Sequence, residues 1–393
     1  MPKSLVPLAL VTLLACNPLP TTPTPDDADL FDAPLPGLSG DEMAAFLRGD
    51  EEFGRRFTPA TGLGPLFNNV SCASCHSGDG RGLPANILLR IGDPGNAWHA
   101  PLGGPQIQDK ALPGISPDPH PVGVAVSRRL PPPVFGMGLI EAIPDAAILA
   151  LADPDDADGD GISGRANMVT TAGYAGGALR LGRFGRKAQV ATLLEQTVEA
   201  YHQDIGITSE FRPFEVPHPT SGIPIESVDR SPDPEIPSGT VQAVVHYLRT
   251  LAAPAPAALT PGLEQGSALF GTVGCASCHV PVLRTGGSPI AALAHRDVVL
   301  YSDLLLHDLG EELADHRPDG EATGREWRTT PLWGLRLMER FLDGQAFLMH
   351  DGRARSVEEA IALHGGEAAG ARAAFLALSG AERTALVAFV RSR

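Results

Sequence analysis

The pentapeptide Cys-Ala-Ser-Cys-His is written twice in this chain, at residues 72–76 and again at 275–279. C-x-x-C-H is the attachment signature of c-type haem. Two thiols three positions apart on a tight helical turn can add to the two vinyl groups of one porphyrin. The histidine that follows then points its imidazole at the iron from the same side. Cys72 and Cys75 are therefore expected to tether one haem with His76 as proximal ligand, and Cys275 and Cys278 a second with His279. Zinc and dithiol chemistry also use paired cysteines. Zinc ribbons, however, space their pairs about 15–20 residues apart, and a redox C-x-x-C has no need of the histidine. Both copies are led by Leu-Phe, in "GLGPLFNNVSCASCH" and "EQGSALFGTVGCASCH", which predicts an apolar helix closing over one haem edge ahead of each motif. The fifth cysteine, Cys16, lies far upstream, so none remains for a disulfide.

A chain of 393 residues can form two domains with separate cores to position these groups. Thirty basic against 46 acidic residues give a net charge of −16, which argues against nucleic acid and anionic membrane surfaces as partners. With 44 Gly, 37 Pro and only 5% aromatics, the chain should be rich in loops, and a large flat cofactor would supply missing apolar area. The start, "MPKSLVPLALVTLLACN", has one lysine and an apolar run too short to span a bilayer. It reads as a lipoprotein signal over residues 1–15, cleaved before a lipid-bearing Cys16, or as an ordinary signal peptide; either implies export. Residues 16–36 are rich in Pro and Asp and read as a tether. An N-terminal haem domain over 37–250 and a C-terminal one over 259–393 follow, separated by "TLAAPAPAALTPG". "ATLLEQTVEAYHQ", "TVQAVVHYLRTLA", "SVEEAIALHGG" and "ERTALVAFVRS" have helical periodicity. The expected fold is mostly α with long loops, as two cytochrome c-like haem domains.

Beyond the haem motifs, "RLPPPVFGMGLIEAIPDAAI", "DPDDADGDGISGRANMV", "GRFGRKAQVATLLEQTVEAYHQDIGITS", "LLLHDLGEELAD", "EWRTTPLWGL" and "FLMHDGRARSVEEAIALHGGEA" occur in that order. In these segments the chain resembles the bacterial di-haem oxidoreductases, related to di-haem cytochrome c peroxidases and to MauG, which oxidises a protein substrate. The resemblance implies a second axial ligand for the C-terminal iron at His364, where the peroxidases carry methionine; Met338, Met349 and His350 compete for the place. Two histidines would lower the potential relative to Met/His ligation. It also implies an open N-terminal haem with a distal glutamine, Gln196, and a carboxylate at Asp204. Cleaving a peroxide O–O bond needs a group that moves a proton between its oxygens. Glu141, in an apolar segment, is a second candidate; the alternatives are a surface Asp204 and a Glu141 paired with Arg128 or Arg129. Arg186 falls near a tryptophan that relays charge between the haems in relatives, which makes Trp333 the replacement to test first, ahead of Trp98 and Trp327.

In "DADGDGISGRAN", Asp156, Asp158 and Asp160 alternate before Gly161 as at the opening of a calcium loop, with Asn167 where an EF-hand has its bidentate glutamate. A solvated acidic turn is the alternative. The resemblance separately places a calcium between the haems, on Asn167, Thr329 and Pro331. His99 and His120 sit in loops where a mobile histidine could cap the N-terminal iron, His202 shares the helix of Gln196, and His307 falls near the second haem. The implied activity is an exported, peroxidase-like oxidoreductase with two covalent haems c, possessed of calcium if the acidic groups bind it. It would reduce a small oxidant such as hydrogen peroxide with electrons from a small cytochrome or cupredoxin. An electron-transfer cytochrome without catalysis, or a MauG-like modifier of a partner protein, are the alternatives. Its place would be the periplasmic face of a bacterial membrane, reached only through the lipid on Cys16.

Overall fold

The computed structural model describes residues 21–22, 31–76, 80, 82–92, 104–120, 122–170, 177–218, 222–342 and 344–393. The expected signal, Cys16, Trp98 and His99 lie outside the described residues. Six helices position the groups of interest: α1 (Gly40–Gly54), α2 (Leu193–Ala200), α3 (Ser238–Thr250), α4 (Pro261–Thr272), α5 (Val357–Leu363) and α6 (Gly380–Arg391). Side-chain hydroxyls satisfy the otherwise unpaired amides at four of their starts. Ser39 and Glu42 form a capping box on α1, as Ser379 and Glu382 do on α6, while Thr192 caps α2 and Ser356 caps α5. Thus all four helices expected from periodicity are present. Among the described residues no helix is long and apolar enough to cross a membrane.

Long irregular segments join these helices, as expected, but six small sheets accompany them among the described residues. The largest has three strands, with Leu88–Gly92 between Gln106–Ile107 and Ala125–Arg129. In Ala125–Arg129 the inward positions are Ser127 and Arg129, whereas Val126 faces solvent. Its alternation is inverted in polarity, so no hydrophobic period marks it as a strand.

Helix α1 packs on α3, and α4 packs on α6. Both contacts are made at a glycine. A Cβ on Gly49 would lie 2.5 Å from Tyr247 Cβ and closer still to the Ala243 carbonyl oxygen. On Gly266 it would lie 2.6 Å from Phe389 Cβ and overlap the Ala385 carbonyl in the same way. Four residues beyond each glycine, one helical turn on, is a buried phenylalanine. Phe53 has its ring centre 6.2 Å from that of His76, and Phe270 is 6.3 Å from His279. The same device therefore places both imidazoles.

The residues just ahead of the motifs are less alike than their sequences. Leu269 and Phe270 lie on α4, as predicted. Leu66 and Phe67 instead form a short strand paired with Lys110–Ala111. Pro65 removes an amide donor there, and Gly64 sits so close to Gly206 that a Cβ would overlap its backbone. The helix that performs the role for the first motif is α1, upstream of an inserted loop.

The larger hydrophobic core contains Phe46, Phe53, Val244 and Tyr247, but also Leu293, Leu300, Leu305 and Trp333 from beyond the second motif. A second core gathers Phe270, Phe375, Leu386 and Phe389 together with Leu130 from the first half. Each half thus contributes apolar surface to the other's interior.

Candidate functional site

Cys275 and Cys278 stand at the wall of a cavity of about 460 Å³. Its lining is mainly apolar and includes Phe270, Leu332, Leu348, Val357 and Ile361. His279 and His364 both reach it. His279 Nδ1 donates to the Tyr301 carbonyl at 2.9 Å, and His364 Nδ1 donates to the Ala360 carbonyl at 2.6 Å. A carbonyl can only accept, so each bond fixes the proton on Nδ1 and leaves Nε2 bare, as a metal ligand requires. Burial holds His279 down to about 4 and lowers His364 as well. Both rings are therefore neutral near pH 7, the ligating form. Helix α5, started by Ser356, ends at His364 and so sets its position.

The competing groups are also placed. Met349 and His350 reach the cavity wall, while Met338 belongs to the second core. The His350 ring is stacked on Trp327, 3.7 Å between centres and 9° from parallel. His307 lines the cavity too, but Asp303 accepts from its Nε2 and Glu367 from its Nδ1, each at 2.8 Å. Burial opposes the charge, yet the bonds to Asp303, Cys278 and Glu367 push His307 up to about 12. An imidazolium has no lone pair for a metal, so the cluster of Cys278, Asp303 and His307 is an ionic brace beside the thiol.

At the first motif, Cys72–Cys75 is a single helical turn capped by Ser71. Cys75 is buried and accepts from Asn69 Nδ2 at 3.3 Å. Its thiol is pushed up to about 11 by burial, and then by the charge of Asp204. Burial likewise holds His76 down to about 4, against the backbone groups of Gly80 and Pro132. Two buried polar atoms here have no hydrogen-bond partner among the described residues: His76 Nδ1 and the hydroxyl of Tyr201. Buried polar atoms are rarely left so. Burial holds the Tyr201 hydroxyl well above the ordinary tyrosine range. No sequence feature singled it out, because an interior tyrosine in an apolar helix looks like packing.

Asp204 lies on one π-helical turn, Tyr201–Ile205, that continues α2; such turns recur at functional positions. Its carbonyl accepts from the amides of Asn68 and Asn69, at 2.8 and 2.9 Å, which ties it to the approach of the first motif. Its carboxylate accepts from Gln106 Nε2 at 2.6 Å. Burial raises it to about 6, with Gln106 and Arg90 opposing. It is half-buried and hydrogen-bonded inward, not a surface helix end. Gln196 is half-buried on α2.

Glu141 has a different engagement. Its carboxylate accepts from Arg249 Nε at 2.5 Å and from the Leu193 amide at 2.8 Å. The paired arginine is Arg249, not Arg128 or Arg129: Arg128 is exposed, and Arg129 meets Asp319 at 2.5 Å and Asp315 at 3.4 Å. Glu141 thus joins the start of α2 to the end of α3, and its oxygens are committed.

Trp333 is buried in the larger core, over Gly136, where a Cβ would meet its ring at 2.7 Å. The tryptophan on the cavity wall is Trp327, with Lys187 Nζ 4.5 Å from its ring centre. Arg186 is on the same wall and donates twice to the Leu130 carbonyl, at 3.1 and 2.7 Å. Its charge acts on both His76, in the first motif, and His350, on the cavity wall.

The acidic loop brings Asp153, rather than Asp160, into a cluster with Asp156 and Asp158. Asp156, Asp158 and Asp160 each accept an amide of their own loop, and Asp160 also reaches the cavity. The Asn167 amide donates to the Lys187 and Asp319 carbonyls, and its oxygen accepts from the Glu321 amide at 2.9 Å. The Thr329 carbonyl accepts from Ser302 Oγ at 2.7 Å. Thus the Asn167 oxygen and the Thr329 carbonyl, assigned to a cation with Pro331, are engaged by protein donors; Pro331 lines the cavity. His120 is exposed, and His202 donates to the Phe214 carbonyl at 2.9 Å.

The residues fit a porphyrin. A mainly apolar cavity carries a thiol pair and two neutral imidazoles with bare Nε2 atoms, and the first motif has orphaned polar atoms around its own pair. The site is that of a haem-binding redox protein. The family described as "Di-haem oxidoreductase, putative peroxidase" matches residues 24–89 and 121–393, and the chain belongs to it. No curated protein matches the chain. Among solved structures, Kuenenia stuttgartiensis hydrazine synthase pressurized with 20 bar xenon is similar at 14% identity and a TM-score of 0.40, over 99% of this chain and 100% of that one. A MauG-like protein associated with microbial copper homeostasis is similar at 14% identity and a TM-score of 0.40, over 95% of this chain and 92% of that one.

Proposed function

We propose that this di-haem oxidoreductase is a peroxidase that carries two covalent haems c, one on Cys72, Cys75 and His76 and the other on Cys275, Cys278 and His279, with His364 as the second ligand of the latter. The observation that carries the reading is the 460 Å³ cavity on whose wall His279 and His364 both stand, with Nδ1 tied to a backbone carbonyl in each. When bound, the haems supply one-electron chemistry at two centres, which suits removal of two oxidising equivalents from hydrogen peroxide. The balance is one peroxide, two electrons and two protons to two waters, the electrons coming from a small cytochrome or cupredoxin. Asp204, with a carboxyl raised to about 6 by burial, holds and returns a proton near the first motif, and Gln196 on the same helical run orients the oxidant. The repeated glycine-to-phenylalanine packing supports two haem-bearing lobes. Export and a lipid on Cys16 complete the proposal.

Low-temperature EPR of the oxidised protein, before and after stoichiometric peroxide, tests it. A high-spin signal that disappears on addition is expected beside an unchanged low-spin count at the start. Two low-spin haems with no response to peroxide would leave an electron-transfer cytochrome and end the peroxidase reading.

A further inference from the structure

Among the described residues, four buried basic side chains meet a carboxylate. Arg129 and Lys187 contact Asp315, Arg317 contacts Asp319, and Arg183 contacts Asp145. Arg328 is different. It ends the strand Glu326–Arg328, in register with Leu306, and its side chain is buried on the wall of the C-terminal cavity. Its Nε donates to the Gly185 carbonyl at 3.0 Å and its Nη1 to the Thr329 carbonyl at 3.4 Å. Among the described residues no carboxylate lies within ion-pair distance of it. Burial lowers it to about 10, with only Asp303 opposing, so it remains charged at neutral pH.

A guanidinium has five N–H donors, and two are used on neutral carbonyls. Burying such a charge without a counter-ion is costly unless an anion arrives with a ligand. The planar fork of arginine matches the paired oxygens of a carboxylate or a phosphate bidentately. A porphyrin of the haem type carries two propionate carboxylates. Arg186 is on the same wall, and its backbone carbonyl accepts from the Arg328 amide at 3.0 Å.

We propose that Arg328, flanked by Arg186, seats a propionate carboxylate of the porphyrin held in this cavity and raises that haem's reduction potential through its buried charge. The proposal rests on the haem reading above and adds residues that take no part in attachment or axial ligation. The other charged or titratable groups on the wall are Asp160, His307, His350, Glu367 and Arg372 beside the two axial histidines, and Asp303 lies behind Arg328; all are kept in the test.

The full chain, matured with haem, is compared with R328M and R328K. Thioether-linked haem per chain is counted first, and wild-type protein with fewer than two would end the haem reading itself. The low-spin haem is then titrated optically at pH 6, 7 and 8. For wild type the ferric-to-ferrous ratio at fixed potential should change less than threefold across this range, because a carboxylate paired with arginine stays ionised. In R328M the ratio should move toward ferric by about tenfold at pH 8, equivalent to 59 mV for one electron, and should become pH-dependent as the orphaned carboxylate takes up a proton. R328K, which keeps the charge, should stay within threefold of wild type. A haem-loaded R328M that matches wild type at all three pH values overturns the proposal. If R328M does not accumulate, R328K decides alone, and a tenfold shift in it, or a wild-type ratio that itself follows pH, overturns the proposal equally.

Discussion

Replacing Asp204 by asparagine tests whether the buried carboxylate handles a proton. Asp204 is raised from an ordinary 3.8 to about 6, chiefly by burial. That difference corresponds to roughly 3 kcal/mol against the ionised form. Because the folded protein holds this proton more tightly than the unfolded chain, stability falls as pH rises from about 4 to about 6, and the full penalty is present above that. D204N keeps the shape and a hydrogen bond to Gln106 but cannot ionise. It should therefore be more stable than wild type at pH 7 by up to about 3 kcal/mol, and indistinguishable near pH 4. Catalysis should move the other way. Proton transfer by a positioned carboxylate contributes on the order of 10²–10⁴ in rate. Stopped-flow reaction of the haem-loaded protein with peroxide should show a second-order rate that rises through an inflection near pH 6 in wild type. In D204N it should be at least 100-fold slower at pH 7, without the inflection. A variant within threefold of wild type, or one that keeps the inflection, would remove Asp204 from the chemistry, whatever its stability.

Three further outcomes follow from the same geometry. E141Q should lose about 1 kcal/mol in chemical denaturation, since a partly buried ion pair with Arg249 is broken, while its peroxide rate stays within threefold of wild type. H364M should keep a low-spin C-terminal haem with a raised potential, and H364A should convert that haem to high spin by EPR; an unchanged spectrum in H364A would pass the ligand role to Met349 or His350. G266A should lower stability by about 1–3 kcal/mol through overlap with Ala385 and Phe389. G271A, on the same helix but with nothing near its Cβ position, should be neutral or slightly stabilising in the same thermal melt.

What the sequence by itself determined is the chemistry that depends on neighbours along the chain. Two thiols and an imidazole within five residues have the spacing for haem attachment however the rest folds, and a helix of period 3.6 with Ser356 at its start carries His364 as its next residue. The helices of residues 193–200, 238–250, 357–363 and 380–391 were legible for the same reason, because local periodicity and caps define them. What only the tertiary structure decided are the encounters between distant segments. Glu141 meets Arg249 rather than a nearer arginine, because the ends of α2 and α3 converge there. Leu66-Phe67 forms a strand although its twin, Leu269-Phe270, is helical, because proline and a close glycine contact exclude a helix. Trp327, not Trp333, lines the cavity, held in a strand paired with residues 306–308. Arg328 ends that strand, buried and with no carboxylate at ion-pair distance among the described residues. Such partnerships arise from packing between segments tens to hundreds of residues apart, and no spacing along one chain encodes them.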